Sequence, residues 1–271
     1  ISVTGVQTCA LPILANNGVK ELNLIGQDLT AYGFDLPNRP SLASLLNALS
    51  EVKGIRWIRQ LYAYPRSFKP EYYEAFKNSN VVPYIDMPLQ HGSANVLRAM
   101  RRGGSKERLS NIVNGLRKNI PNLVLRTTMM VGFPGETDED FAELMDFIKE
   151  HRFERLGAFK YSNEENTDAY DFALQVPQKI KEERYDALMN LQKSISQEIM
   201  QDMIGTVHEA VVTGISEEHE FLLQGRLWSQ SPEIDGITYI SSSKSLKAGD
   251  IVKVKITQAA EYDLVGEVLE D

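Results

Sequence analysis

The stretch "VGFPGETDEDF" (131–141) places two glycines, Gly132 and Gly135, directly after an apolar run. Glycines there permit the tight turn and close backbone approach that a bound ring requires. The same residues also make an ordinary strand–turn–helix junction. Thr137 and Asp140 form a capping box, and an acidic first turn complements the helix dipole. That acidic turn argues against a phosphate cradle, which needs the helix end free for an anion, so a ligand with a neutral face is expected. Two further apolar runs end in polar residues: Gln27 and Asp28 in "IGQD" (25–28), and Gln90 and His91 in "IDMPLQHGS" (85–93). In a parallel α/β sheet such strand ends share one binding face. "MRRGGS" (100–105) sets two arginines beside two glycines, either a solvated turn or a contact for phosphate or carboxylate. His91 has no second His or Cys at ligand spacing, so no metal site is expected. Neither a Ser–His–Asp arrangement nor a Walker loop is present, and no catalytic proton-transfer residue is assigned.

The elements that would carry these residues alternate. Strands are expected at 19–28, 55–65, 81–89, 123–133 and 153–162, and helices at 41–52, 69–78, 93–100, 105–119 and 137–151. Near-continuous apolar strands between helices indicate a parallel sheet covered by helices. A long amphipathic helix over 177–205 ends at Gly205, after which the hydrophobic period falls to two. Five short strands then predict a small antiparallel barrel.

Composition sets bounds. The 271 residues are 42% hydrophobic and 24% charged, ordinary for a soluble globular chain. No apolar run approaches the ~20 residues of a membrane span, and the single cysteine, Cys9, fits a reducing, cytoplasmic setting better than a disulfide framework. Net charge is −8, of which −7 lies between Gly205 and the C-terminus. That step suggests a boundary near residue 204.

Taken together, "LIGQD", "PYIDMPLQHGS", "MRRGG", "LRTTMMVGFPGETDEDF" and "FKYSNEENTDA" resemble the radical S-adenosylmethionine methylthiotransferases, over roughly residues 15–271. The resemblance implies an incomplete β/α barrel of parallel strands, its first strand and cluster loop missing, followed by an all-β TRAM barrel. The implied domains are 14–204 for the partial radical core and 205–271 for TRAM. Implied cofactors are S-adenosylmethionine and, in full-length family members, two four-iron–four-sulfur clusters. The implied cofactor-facing rim is Gln27, Asp28, Gln90, His91, Arg126, Gly132, Gly135 and Glu136, with "YSNEENT" (161–167) beside the adenine. "YAYP" (62–65), the His in "PLQHGS", "RTT" (126–128) and "SPEIDGITYIS" (231–241) look like the branch that modifies an aspartate β-carbon of ribosomal protein S-twelve. That protein would be the partner, met through the TRAM domain. A terminal domain of net −7 suits a basic protein better than RNA, whose binding rests on phosphate neutralisation, so direct nucleic-acid contact and membrane contact are not expected. The alternatives are a transfer-RNA methylthiotransferase fragment and a non-catalytic binding module.

Radical chemistry of this family needs three thiolates in a C-x3-C-x2-C loop. Cys9 has no cysteine neighbour, so the chain as written is expected to hold no cluster and to be inactive. "VTGVQTCALPI" (3–13) is also what a widely used sequencing-library adaptor would encode. Residues 1–13 are therefore expected to be a non-native artefact joined near Leu14.

Overall fold

A computed structural model describes residues 5–66, 68–219 and 221–269, with side chains from residue 11 onward. Cys9 falls within the first helix, but its side chain lies outside the described residues. Five strands, β1 (Glu21–Leu24), β2 (Trp57–Gln60), β3 (Val81–Asp86), β4 (Val124–Val131) and β5 (Arg155–Lys160), form one sheet in sequence order. The pairings β1–β2, β2–β3 and β4–β5 are parallel, as expected for strands alternating with helices.

Local chemistry explains the helices. Helix α1 (Gly5–Asn16) ends where Gly18 adopts φ +91°. The amides of Gly18 and Val19 return to the carbonyls of Ala15 and Leu14, a Schellman closure that glycine makes without strain. Ser41, Ser93, Ser105 and Thr137 cap α2 (Leu42–Ser50), α4 (Ala94–Ala99), α5 (Lys106–Asn119) and α6 (Asp138–His151), each hydroxyl accepting an orphan amide. Pro70 opens α3 (Pro70–Ala75), where its missing N–H costs nothing. Leu109, Ile112, Val113 and Leu116 bury one stripe of α5.

After α7 (Gln178–Gln201), β6 (Val207–Ile215), β7 (Leu223–Leu227), β8 (Thr238–Ser241), β9 (Ile251–Ala259) and β10 (Leu264–Val268) close a barrel in the order β10-β8-β7-β6-β9. Ala210, Val212, Leu227, Ile240, Val254, Ile256 and Leu264 fill it. The barrel departs from the antiparallel expectation at one seam, where β10 pairs β8 in parallel. Direction cannot alternate all the way round an odd-numbered ring, so one pair in five must be parallel. The strand expected at 55–65 is also shorter, because Tyr62 takes φ +61° and turns the chain after Gln60.

By contact the chain divides into two compact units. The first comprises 1–62, 68–85 and 196–271, so the barrel groups with the β1–β3 side of the sheet. Within it Glu21 on β1 is nearly buried. Its Oε1 accepts Arg59 Nε at 2.8 Å and its Oε2 accepts Arg226 Nη2 at 2.9 Å, tying β1 to both β2 and β7. Tyr84 donates to Asp235 at 2.7 Å, and Arg56 pairs with Glu209. The second unit comprises 63–67 and 86–195.

Candidate functional site

In the second unit the chain leaving β3 stays bonded to β4, first through the Met87 amide, which donates to Arg126 O at 2.8 Å, and then through Gln90. Gln90 takes φ +74°, its amide donating to Thr128 O at 2.8 Å and its carbonyl accepting Met130 N at 2.7 Å. A left-handed glutamine is strained, and it persists here because the sheet holds both sides of its backbone. His91 follows, fully buried. Its Nδ1 accepts the Ser93 amide at 2.9 Å, which places the ring proton on Nε2, 3.5 Å from Glu136 Oε2.

Glu136 is the centre of this arrangement. Its Oε2 accepts the Gly132 amide at 2.8 Å, and its Oε1 accepts Arg184 Nη1 at 2.7 Å. Arg184 also reaches Asp138 Oδ1 at 2.7 Å. The carboxylate therefore clamps the turn 132–136 from inside, while α7 clamps it from outside. Gly132 has φ +75°, and a Cβ there would stand 2.4 Å from Lys181 Cγ, so the side-chain stem of Lys181 occupies the space that glycine leaves. The Lys181 ammonium donates to Tyr161 O at 2.9 Å, and burial pushes its pKa down. Gly135, at φ +84°, donates its amide to Leu174 O at 2.7 Å.

One carboxylate also joins two helix starts. Asp140 completes the α6 capping box and accepts Ser93 Oγ at 2.5 Å and Asn95 Nδ2 at 3.3 Å from the start of α4. Burial pushes the Asp140 carboxyl up, but the hydrogen bonds from Ser93, Thr137 and Asn95 outweigh it and hold the pKa below the usual range.

Against this turn lies a cavity of about 330 Å³ whose wall includes Gln90, Arg102, Met130, Phe133, Tyr161 and Phe172. Phe133 meets the rings of Tyr161 and Phe172 edge-on at 5.2 and 6.1 Å. Such a wall offers aromatic faces and a thioether to a flat apolar group, with the Gln90 amide as a polar contact. At the mouth Arg101 pairs with Asp168, both largely exposed.

The expected rim residues therefore have different placements. Gln90 lines the cavity. His91, Gly132 and Glu136 are brought together in the buried clamp behind it. Arg126 lies on β4, with Nη1 3.0 Å from Asp86 Oδ1. Gln27 and Asp28 belong to the first compact unit, following β1. Asp28 there accepts the Thr30 amide at 2.9 Å and caps a 3-10 turn. The sequence reading missed Lys181, Arg184, Met130 and Phe172. Lys181 and Arg184 stand three apart on an amphipathic helix, a pattern indistinguishable from a solvated face until the turn they grip is known.

The chain matches known proteins over most of its length. Residues 11–148 match the Radical SAM superfamily and residues 204–269 the TRAM domain. A ribosomal protein uS12 methylthiotransferase RimO from Anaeromyxobacter sp. (strain K) is 51% identical over 257 residues, covering 94% of this chain and 55% of that protein. Its namesake in Aquifex aeolicus (strain VF5) is 46% identical over 254 residues, covering 93% of this chain and 59% of that protein. The chain thus spans a little over half the length of these curated relatives. Among solved structures, coproporphyrinogen III oxidase HemN from Escherichia coli superposes with a TM-score of 0.50 at 16% identity, over 70% of this chain and 45% of that one. That likeness establishes the fold alone.

Proposed function

Because the chain belongs to the radical SAM superfamily, we propose that it serves a methylthiotransferase reaction on ribosomal protein S-twelve, at the β-carbon of an aspartate side chain. The observation that carries this reading is identity of 44–51% to relatives named for that activity. The cavity beside the clamped turn supports it. Its aromatic and thioether wall fits an adenosyl group, with Gln90 as the polar contact and the turn 132–136 behind it. S-adenosylmethionine bound there supplies the adenosyl and methyl groups of the family's chemistry. The residues of this chain bind and orient it. The Glu136–Arg184 pair keeps the turn rigid, and the aromatic rings exclude water.

The donor set of the chain does not fit an iron–sulfur cluster. Cys9 is its one cysteine, and among the described residues no three His, Cys, Asp or Glu side chains are grouped for a metal. On this reading these residues contribute the cofactor-binding and partner-binding parts of the reaction, and by themselves take up no stoichiometric cluster and do not turn over. Full-length relatives would bring two clusters by family resemblance. The TRAM barrel is the partner-binding part, and its net charge of −7 favours a basic protein over RNA. A cytoplasmic location accords with the one-cysteine composition. Among the described residues no helix is long and apolar enough to cross a membrane.

Methyl-labelled methionine spectra test the cofactor part of this reading. S-adenosylhomocysteine is expected to shift the Met130 and Met100 methyls at the cavity and leave Met200 and Met203 at the barrel unmoved. Unmoved cavity methyls at millimolar ligand would overturn it. Anaerobic reconstitution tests the cluster statement, and a stoichiometric visible absorbance would contradict it.

A further inference from the structure

Among the described residues Phe221 is the large apolar side chain most open to water, 94% exposed, and Ile215, 73% exposed, stands on the same hairpin. Apolar area left in water is costly, and two such side chains on one tip mark a surface for a partner. The hairpin joins β6 to β7 and lies within the first compact unit. Its tip is fixed. The Ser216 amide donates to Leu222 O at 2.9 Å, and the Leu222 amide donates to His219 O at 3.0 Å. The hydroxyl of the buried Ser216 accepts the amides of Glu218 and His219, each at 3.2 Å. From β8, Tyr239 donates to Glu218 and meets the His219 ring edge-on at 5.1 Å. That bond to Glu218, more than burial, pushes the Tyr239 pKa up to about 12, so the phenol remains a donor near neutral pH. A register shift between Val212 and Gly214 bends the hairpin just before the tip. A tip already held in one shape loses little conformational freedom when a partner covers it.

We propose that this tip docks a lysine- or arginine-rich segment of a partner protein that also carries an apolar side chain, with Phe221 as the anchor and Ile215 beside it. Charge selects the occupant. Glu217 and Glu218 are exposed on the same tip, and residues 213–224 contain no lysine or arginine. An RNA backbone or an anionic lipid surface would bring negative charge against those carboxylates with no cation to answer it. A second copy of the chain meeting tip to tip would oppose like charges. A basic segment gains from both features: its cations meet Glu217 and Glu218, and its apolar side chain covers the aromatic ring. This rests on the proposed function, which makes the barrel the partner-binding part, and deepens it by naming the docking element and its anchor residue.

The test titrates purified ribosomal protein S-twelve into the full chain labelled at its isoleucine δ1 methyls. Ile215 at the tip is expected to shift, while Ile240 and Ile256 inside the barrel stay in place. Phe221→Ala should weaken binding about tenfold, equal to about 1.4 kcal/mol, and Phe221→Leu should keep part of the affinity. Glu217→Gln should weaken it about threefold at low salt and by less at high salt. Native positions of the Ile240 and Ile256 methyls confirm that each variant is folded. An unshifted Ile215 in the bound chain, or unchanged affinity in F221A, would overturn the proposal. So would a uridine decamer or phosphatidylglycerol vesicles shifting Ile215 as strongly as S-twelve does, or self-association of the chain alone that F221A abolishes in sedimentation. The two readings fail separately. If S-twelve binds the chain and F221A equally well, the docking tip fails alone; if S-twelve does not bind, both fail.

Discussion

Glu21 and Glu136 are each an almost buried carboxylate with each oxygen taken by a different donor, yet they do different work. Glu21 bridges two arginines, Arg59 on β2 and Arg226 on β7, that lie 38 and 205 residues away. Glu136 divides its oxygens between Arg184, 48 residues away, and the amide of Gly132, four residues away. The first spans elements that meet only in the folded chain, so it holds architecture. The second bends one short turn into a single shape beside the cavity, so it holds a site. The contrast shows that burial and ion pairing alone do not say whether a charged cluster is structural or functional. The sequence distance of its partners, and what lies next to it, do.

That contrast can be broken by substitution. The largest effect is expected for Glu21→Ala, which strands the wholly buried Arg59 guanidinium and should cost about 3–5 kcal/mol. Urea unfolding measures it, and the affinity for S-adenosylhomocysteine should not change. Glu136→Gln should cost less in stability, about 1–3 kcal/mol, but weaken that ligand about tenfold, because the turn loses its charged clamp. If E21A loses affinity as E136Q does, the division between architecture and site collapses. Gly132→Ala comes next, at about 1–3 kcal/mol, because it forces a positive φ on alanine and drives a methyl into the Lys181 stem. Adding Lys181→Ala should recover the steric part and leave the backbone part, which a double-mutant cycle separates.

The smallest effect is expected from pH. Burial lowers the pKa of His151 in the second unit and, by the same cause, of His208 in the first. A histidine depressed in the folded state binds its proton more readily when unfolded. Its stabilisation is complete above the unfolded pKa of about 6.5 and is lost as pH falls through the folded value. Denaturation midpoints should therefore fall between pH 7 and pH 5, and His151→Gln should flatten part of that fall. A stability profile that rises on acidification would reverse the assignment.

Much of the fold was legible because the deciding forces are local. Ser41, Ser105 and Thr137 announce their helices by capping chemistry acting over three residues. The Asp140 capping box appears in the sequence as it does in the structure, though its bonds to Ser93 and Asn95 do not. The parallel seam of the barrel was missed although it needs only counting, because a pattern of period two marks strands without their directions. The site was less legible. Gly132 invites a ligand in the sequence, while in the fold its missing side chain makes room for Lys181.

By itself the sequence determined the order of strands and helices, the caps, the shift to a barrel after Gly205 and the family to which the motifs belong, because periodicity, turn chemistry and motif order are written along the chain. Only the tertiary structure decided that His91 and Glu136 face each other behind the cavity, that Arg184 completes their clamp, and that Gln90, Phe133, Tyr161 and Phe172 meet on one cavity wall. Those relations join residues dozens of positions apart. The energy of a buried charge depends on what surrounds it in space, which no linear pattern records.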